Sequence, residues 1–243
     1  MLEKVEGIVI SETSYGETSK IINILTLEYG IIGVMARGAK SIKSELRTVT
    51  SKLTYGYFHI RYKKDKLSLL SAVDKIDNFR NILKNIKLIS YASFLVDLTE
   101  QVVRHSGNSN IFSILISALK KINNGYDPLV IMNIVELKYL ELLGCMPIID
   151  SCAGCGSTSN IITVSNIKGG FVCNRCHTSE KIVSRETLKF IRGFYYLNID
   201  KITKLEIPEN NKQEINNFLD DYYDTYTGLY LKSKNFLKNL NRL

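Results

Sequence analysis

Near residue 78 the spacing of apolar side chains changes from every second residue to every third or fourth, and one secondary structure cannot serve both periods. Residues 1–77 read as short strands. VEGIVI is rich in β-formers, Gly16 marks a turn, and KIINILTLEYG and IIGVMARGAK follow as strands punctuated by glycine. LTYGYFHIRYKKDKLSLLSAV supplies two more around the polar hinge KKDK. About five short strands suggest a small barrel, and the oligonucleotide-binding (OB) barrel is the commonest five-stranded kind. Periodicity alone does not separate it from an SH3-like barrel.

Beyond residue 78 the pattern is helical. Ile82, Ile86, Ile89, Leu95, Leu98 and Val102 fall on one helix face, and IFSILISALKKI is a second helix. Asp127 followed by Pro128 predicts the N-terminus of a third helix, ending at Gly144. Ser184 caps a helix running through Tyr196, and a last long helix carries Ile215, Phe218, Leu219, Tyr222, Leu229, Phe236, Leu237 and Leu240. These stripes read as core. The fold class is therefore α+β: a barrel over 1–77 and an all-helical region over 78–243, with an insertion at 150–180.

That insertion holds four of the five cysteines, as CAGC and CNRC. Cys152, Cys155, Cys173 and Cys176 have the C-x2-C…C-x2-C spacing of a zinc site. Each pair makes a tight turn that points two thiolates at one ion, with Gly154 and Gly156 easing the first. The intervening NIITVSNIKGGFV can form a hairpin that brings the pairs together. Four thiolates complete the tetrahedron and leave no position for water, so the ion is expected to be structural rather than catalytic. His177 reads as an exposed neighbour, and Cys145, in LELLGCMPI, as a small buried hydrophobe.

The formal charge is +8. Residues 1–80 and 151–243 each carry a net +4, and the stretch between them is neutral. Nine cations lie within 37–66: Arg37, Lys40, Lys43, Arg47, Lys52, Arg61, Lys63, Lys64 and Lys66, against Glu45 and Asp65. Tyr55, Tyr57, Phe58 and Tyr62 interleave with them. Lys and Arg neutralise phosphates while aromatic rings stack on bases, which is how OB-type barrels hold single strands. Each tyrosine taken singly reads as core; the cluster as a whole reads as a nucleic-acid face, with ARGAKSIKS as its flexible basic loop. Lys181, Arg185, Lys189 and Arg192 form a second basic region at helical spacing that could extend the same surface.

Two other function classes compete. A nucleic-acid-processing enzyme needs an open metal site or a carboxylate cluster. The chain has no P-loop and no H-x-E…P-C-x-x-C arrangement, and its three histidines, His59, His105 and His177, are scattered. A protein-interaction scaffold would use the basic face to dock acidic partners. The N-terminal MLEKVEGIVI is broken by charges before a signal-peptide core can form, and no apolar run reaches the roughly 20 residues that span a bilayer. A soluble, cytoplasmic protein without membrane attachment is expected.

EGIVISETSYGETSKIINILTLEYG, ARGAKSIKS, LLGCMPIIDSCAGCG, GGFVCNRC and LYLKSKNFL, in that order, resemble the RecO family of bacterial DNA-repair and recombination mediators along essentially the whole chain. The resemblance implies an N-terminal OB fold, a helical domain and one structural zinc within it. It also implies binding of single- and double-stranded DNA and annealing of complementary strands. With RecR, such a protein helps load RecA on DNA coated by single-strand-binding protein, whose acidic C-terminal tail it engages through the helical region. RecF and RecA are implied as indirect partners, and the setting as nucleoid-associated. No catalytic residue is implied. Carried over by motif, Arg37, Lys40 and Lys43 are the leading DNA contacts, with Arg47, Arg61, Lys63, Lys64 and Lys66 around them.

Overall fold

The computed structural model describes residues 2–106, 110–231, 233–234 and 237. They fall into two compact units, 1–123 and 124–243. In the first, strands β1 (Leu2–Tyr15), β2 (Ser19–Thr26), β3 (Gly30–Ala36), β4 (Tyr55–Arg61) and β5 (Ser68–Asp77) close into a barrel ordered β1-β2-β3-β5-β4. All neighbours are antiparallel except β3 and β5, which run parallel where Val34 pairs with Ser68. A one-turn helix, α1 (Leu46–Val49), sits between β3 and β4. This closed five-stranded order is the OB topology, and it resolves the choice between barrels that periodicity left open.

Alternation fills the barrel. Val5, Val9, Ile22, Ile24, Val34, Phe58, Ile60 and Leu70 point inward and are buried. Val9 and Ser11 flank a bulge, which bends the long β1 so that it pairs with both β2 and β4. The strand period ends at Asp77, where β5 ends.

Helices α2 (Arg80–Leu83), α3 (Ile86–Ser106) and α4 (Asn110–Asn123) complete the first unit. The single face expected from Ile82 to Val102 is carried by two helices rather than one. Asn85 caps α3 by accepting from the amides of Lys87 and Leu88, and the break leaves Ile86 62% exposed.

The second unit is built around α5 (Pro128–Leu142), which is buried on nearly every side. Asp127 caps it, accepting from the Leu129 and Val130 amides at 2.9 and 3.3 Å, with Pro128 in its first turn. The hairpin β6 (Ile161–Ser165) and β7 (Gly170–Cys173) forms from the segment between the cysteine pairs. α6 (Arg185–Tyr196) starts at Ser184, whose hydroxyl accepts from the Thr187 amide. α7 (Glu209–Tyr226) packs on α5 and α6. It stops short of the long last helix expected, because Gly228 adopts a left-handed φ of 61° that ends the helical path. Leu229 therefore lies outside α7; Leu237 is buried, and Phe236 and Leu240 lie outside the described residues. Among the described residues no helix is long and apolar enough to cross a membrane.

Candidate nucleic-acid interface and metal centre

The basic cluster is divided between two loops of the barrel. Arg37, Lys40, Lys43 and Arg47 follow β3, and Lys63, Lys64 and Lys66 join β4 to β5, with Arg61 at the end of β4. All eight side chains are exposed, and among the described residues none forms an ion pair. Lys52 differs: it sits 3.5 Å from Asp97 of α3.

The ARGAKSIKS segment is a train of hydrogen-bonded turns. Ser41 donates to the Gly38 carbonyl, Ser44 to Ser41 and Arg47 to Ser44, each within 3.0 to 3.1 Å. Ala39 is fully buried in the barrel core and anchors the segment from below. The Lys40 amide donates to the Thr18 carbonyl at 2.8 Å, and its Nζ reaches the Gly16 carbonyl at 3.3 Å. Lys40 is thus held against the β1–β2 turn. Sequence reasoning missed this partner: Gly16 was legible as a turn, but not as the neighbour of residues 20 positions away.

The β4–β5 loop closes through the Lys63 amide, which donates to Ser68 Oγ at 3.1 Å. Leu67 from this loop lies over Gly33 of β3, where an added Cβ would come within 2.9 Å of Leu67 Cδ2. The two basic loops therefore flank the outer surface of β2 and β3, whose upward residues Ile21, Asn23, Ile31, Gly33 and Met35 are half-buried. In OB barrels the β2–β3 face with its β1–β2 and β4–β5 loops is the usual oligonucleotide platform.

The aromatic residues divide as well. Tyr55 and Phe58 are core, and the Tyr55 hydroxyl donates to the Glu6 carboxylate. Tyr57 is exposed on the β4 surface under Lys4 Nζ, 4.5 Å from its ring centroid, and Tyr62 stacks on Tyr29 at 4.3 Å.

In the second unit, Cys152, Cys155, Cys173 and Cys176 converge with all four Sγ atoms within 4.8 Å of one another. Cys155 and Cys173 Sγ are 3.7 Å apart, close to the about 3.8 Å edge of a tetrahedron with zinc–sulfur bonds of about 2.3 Å. Burial would raise the Cys152 thiol, but the amides of Cys173, Gly154 and Cys155 outweigh it and lower its pKa to about 6. The Cys176 amide likewise lowers Cys173. Metal binding needs thiolates, so amides aimed at sulfur prepare the site. Gly154 leaves room for Cys176, whose Sγ an added Cβ would meet at 3.1 Å. The donor set fits a four-coordinate metal. His177 is half-buried rather than exposed, and its Nε2 lies 2.8 Å from the Glu180 carbonyl, outside the cluster.

In the second basic region Lys181, Arg185, Lys189 and Arg192 are all exposed. Arg192 turns back, donating to the Ile149 carbonyl through Nε at 3.0 Å and Nη2 at 2.8 Å, and lies over Phe171. It fixes the chain just before the first cysteine pair. Nearby, a cleft of about 610 Å3 between β6, residues 179–183 and α7 is lined by Glu180, Glu214, Asp220 and Asp221, with Lys181 the one cationic lining residue among those described.

The chain thus places an OB barrel, whose basic rim forms no ion pair among the described residues, before a helical region with a four-thiolate centre. The family description "Recombination protein O N terminal" matches residues 1–79, and "Recombination protein O C terminal" matches 83–235. The chain is 36% identical over 245 residues to "DNA repair protein RecO" of Listeria monocytogenes serotype 4b, covering 99% of this chain and 96% of that protein. It is also 36% identical over 247 residues to the protein of the same name from Bacillus pumilus, covering 100% and 96%. The chain belongs to the RecO family of DNA-repair and recombination proteins.

Proposed function

We propose that this protein is a non-enzymatic recombination mediator whose barrel, residues 1–77, binds single- and double-stranded DNA. It anneals complementary strands and, with RecR, helps load RecA on DNA coated by single-strand-binding protein. The helical domain, 78–243, receives the acidic C-terminal tail of that protein, and RecF and RecA are indirect partners. It works in the cytoplasm at the nucleoid.

One observation carries the reading: eight exposed cations, Arg37, Lys40, Lys43, Arg47, Arg61, Lys63, Lys64 and Lys66, rim a closed OB barrel with no ion pair among the described residues. Cations left unpaired on a rigid rim can each neutralise a phosphate, and releasing that phosphate's counterions drives binding. No bond needs to be broken, since holding two neutralised strands on one surface lowers the repulsion between them. The four thiolates hold one zinc, which cross-links residues 150–180 and leaves no coordination position for a substrate. The centre then orders the helical domain while the barrel does the binding.

A strand-annealing assay with complementary oligonucleotides, with and without single-strand-binding protein, tests this. Acceleration of annealing on both bare and coated strands is expected. Annealing at the uncatalysed rate on both would contradict the proposal.

A further inference from the structure

The basic turns carry an apolar side chain that phosphate binding does not use. Ile42 is 85% exposed at the crest of the ARGAKSIKS segment, between Lys40 and Lys43. A single exposed isoleucine is ordinary on a protein surface. Here three further facts bear on it.

The crest is built of hydrogen-bonded turns. Ala39 is buried beneath it, and the amides of Ser41, Ser44 and Arg47 donate successively along it. Ile42 stands out into water on that path. A second apolar group stands on the neighbouring tip. Tyr15, 54% exposed, precedes the Gly16 turn to which Lys40 is bonded through both its amide and its Nζ. The charge around both is one-sided, with Arg37, Lys40, Lys43 and Arg47 exposed against Glu17 and Glu45.

An apolar group set among cations suits a ligand that is anionic outside and apolar within. A nucleic-acid strand has that build, with phosphates on its rim and base faces inside. Apolar side chains such as isoleucine enter base steps and part the stack, and an aromatic ring can then cover an exposed base. We infer that Ile42 is a wedge that enters the base stack of DNA where pairing ends, with Tyr15 supporting an unstacked base and Lys40 and Lys43 holding the flanking phosphates. The inference rests on the nucleic-acid reading of the barrel. It adds a preference for the junction between paired and unpaired DNA over uniform duplex. Such a junction is where an annealing strand grows, and where an already weakened stack costs least to open.

The test uses the full chain and a partial duplex with 2-aminopurine as the last unpaired base at the junction. Its fluorescence rises when the base unstacks, and anisotropy reports affinity. Wild-type protein is expected to raise the fluorescence. Ile42→Ser should lose most of that rise and bind the partial duplex roughly tenfold more weakly. Its affinity for uniform duplex and its salt dependence should stay as in wild type, because no phosphate contact is removed. Ile42→Phe should restore the fluorescence rise. Since residue 42 is exposed, the thermal midpoint should not move.

An Ile42→Ser protein with unchanged fluorescence and affinity overturns the wedge and leaves the nucleic-acid reading standing. A wild-type protein that binds no DNA overturns the reading and the wedge with it. Binding to phosphatidylserine vesicles that Ile42→Ser weakens, with DNA binding untouched, assigns the crest to a lipid surface and likewise overturns the proposal.

Discussion

Lys43 and Lys234 both belong to basic ends of the chain, and they are used in opposite ways. Lys43 ends in water with no ion pair among the described residues. Lys234 has a side chain only 13% exposed, 2.9 Å from Asp220 and over the Tyr223 ring. The contrast extends to their neighbours. In the barrel loops, eight exposed cations form no ion pair among the described residues. In the second unit, Lys168 pairs with Glu180 at 2.8 Å, Lys212 with Asp127 and Glu209, and Arg192 with the Ile149 carbonyl. Equal net charge in sequence thus leaves a set of exposed cations without ion pairs in the barrel loops, while several cations of the second unit are spent on internal cross-links. A cation committed to a protein carboxylate has little left to give a phosphate.

If this division holds, substitutions in the second unit should change stability, and substitutions in the barrel loops should change DNA binding. The largest stability loss should follow removal of the metal centre. Replacing Cys152 and Cys173 by Ser, or stripping metal with a chelator, should unfold residues 150–180. In small zinc domains such loss is worth on the order of 10 kcal/mol. Calorimetry should show the thermal transition of the second unit lost or sharply lowered, while DNA binding falls less. DNA binding abolished with an unmoved transition would break the comparison.

Next in size is Lys234→Ala. Burial alone would lower the pKa of this lysine, but Glu136, Asp220 and Asp224 raise it. Asp220, its ion-pair partner at 2.9 Å, has a side chain only 15% exposed, so removing the cation takes away that carboxylate's partner in a largely buried place. Breaking such a pair costs about 3 kcal/mol or more, measurable by urea denaturation, with no change in DNA affinity.

A smaller effect is expected at acid pH. Lys168 first, and the Thr178 amide after it, hold Glu180 well below the usual carboxylate range. A lowered folded-state pKa means that the stabilisation is present above the ordinary glutamate value of 4.5 and is lost as pH falls through the lowered one. Glu180→Gln should therefore be less stable than wild type at neutral pH and approach it in acid. Thermal melts from neutral to acid pH would show the two curves converging; a constant gap would contradict the assignment.

Much of this arrangement was readable from residue types. The change of period at 78 located the end of β5 at Asp77, and Asp127-Pro128 and Ser184 located two helix starts, because caps act within one turn of chain. The paired cysteines could be read for the same reason, since each CxxC turn is local. What stayed hidden depended on distant contacts. Ile86 fits a helical stripe, yet the Asn85 cap turns it outward. Arg192 is exposed like its neighbours, and only the fold reveals the Ile149 carbonyl it serves. ARGAKSIKS reads as flexible because glycine and serine are common in mobile loops. Its turns are instead tied to a buried alanine and to Gly16, 24 residues before Lys40.

The division of labour rests most directly on the salt dependence of single-stranded DNA binding. Arg37, Lys40 and Lys43 should be replaced together by Ala and compared with wild type and with Lys212→Ala. Losing three phosphate contacts should reduce the slope of log affinity against log salt by about 2 for a single strand, with the thermal midpoint unchanged. Lys212→Ala should lower the midpoint and keep the wild-type slope. A triple variant that keeps the wild-type slope, or a Lys212→Ala slope reduced as much as that of the triple variant, would contradict the account.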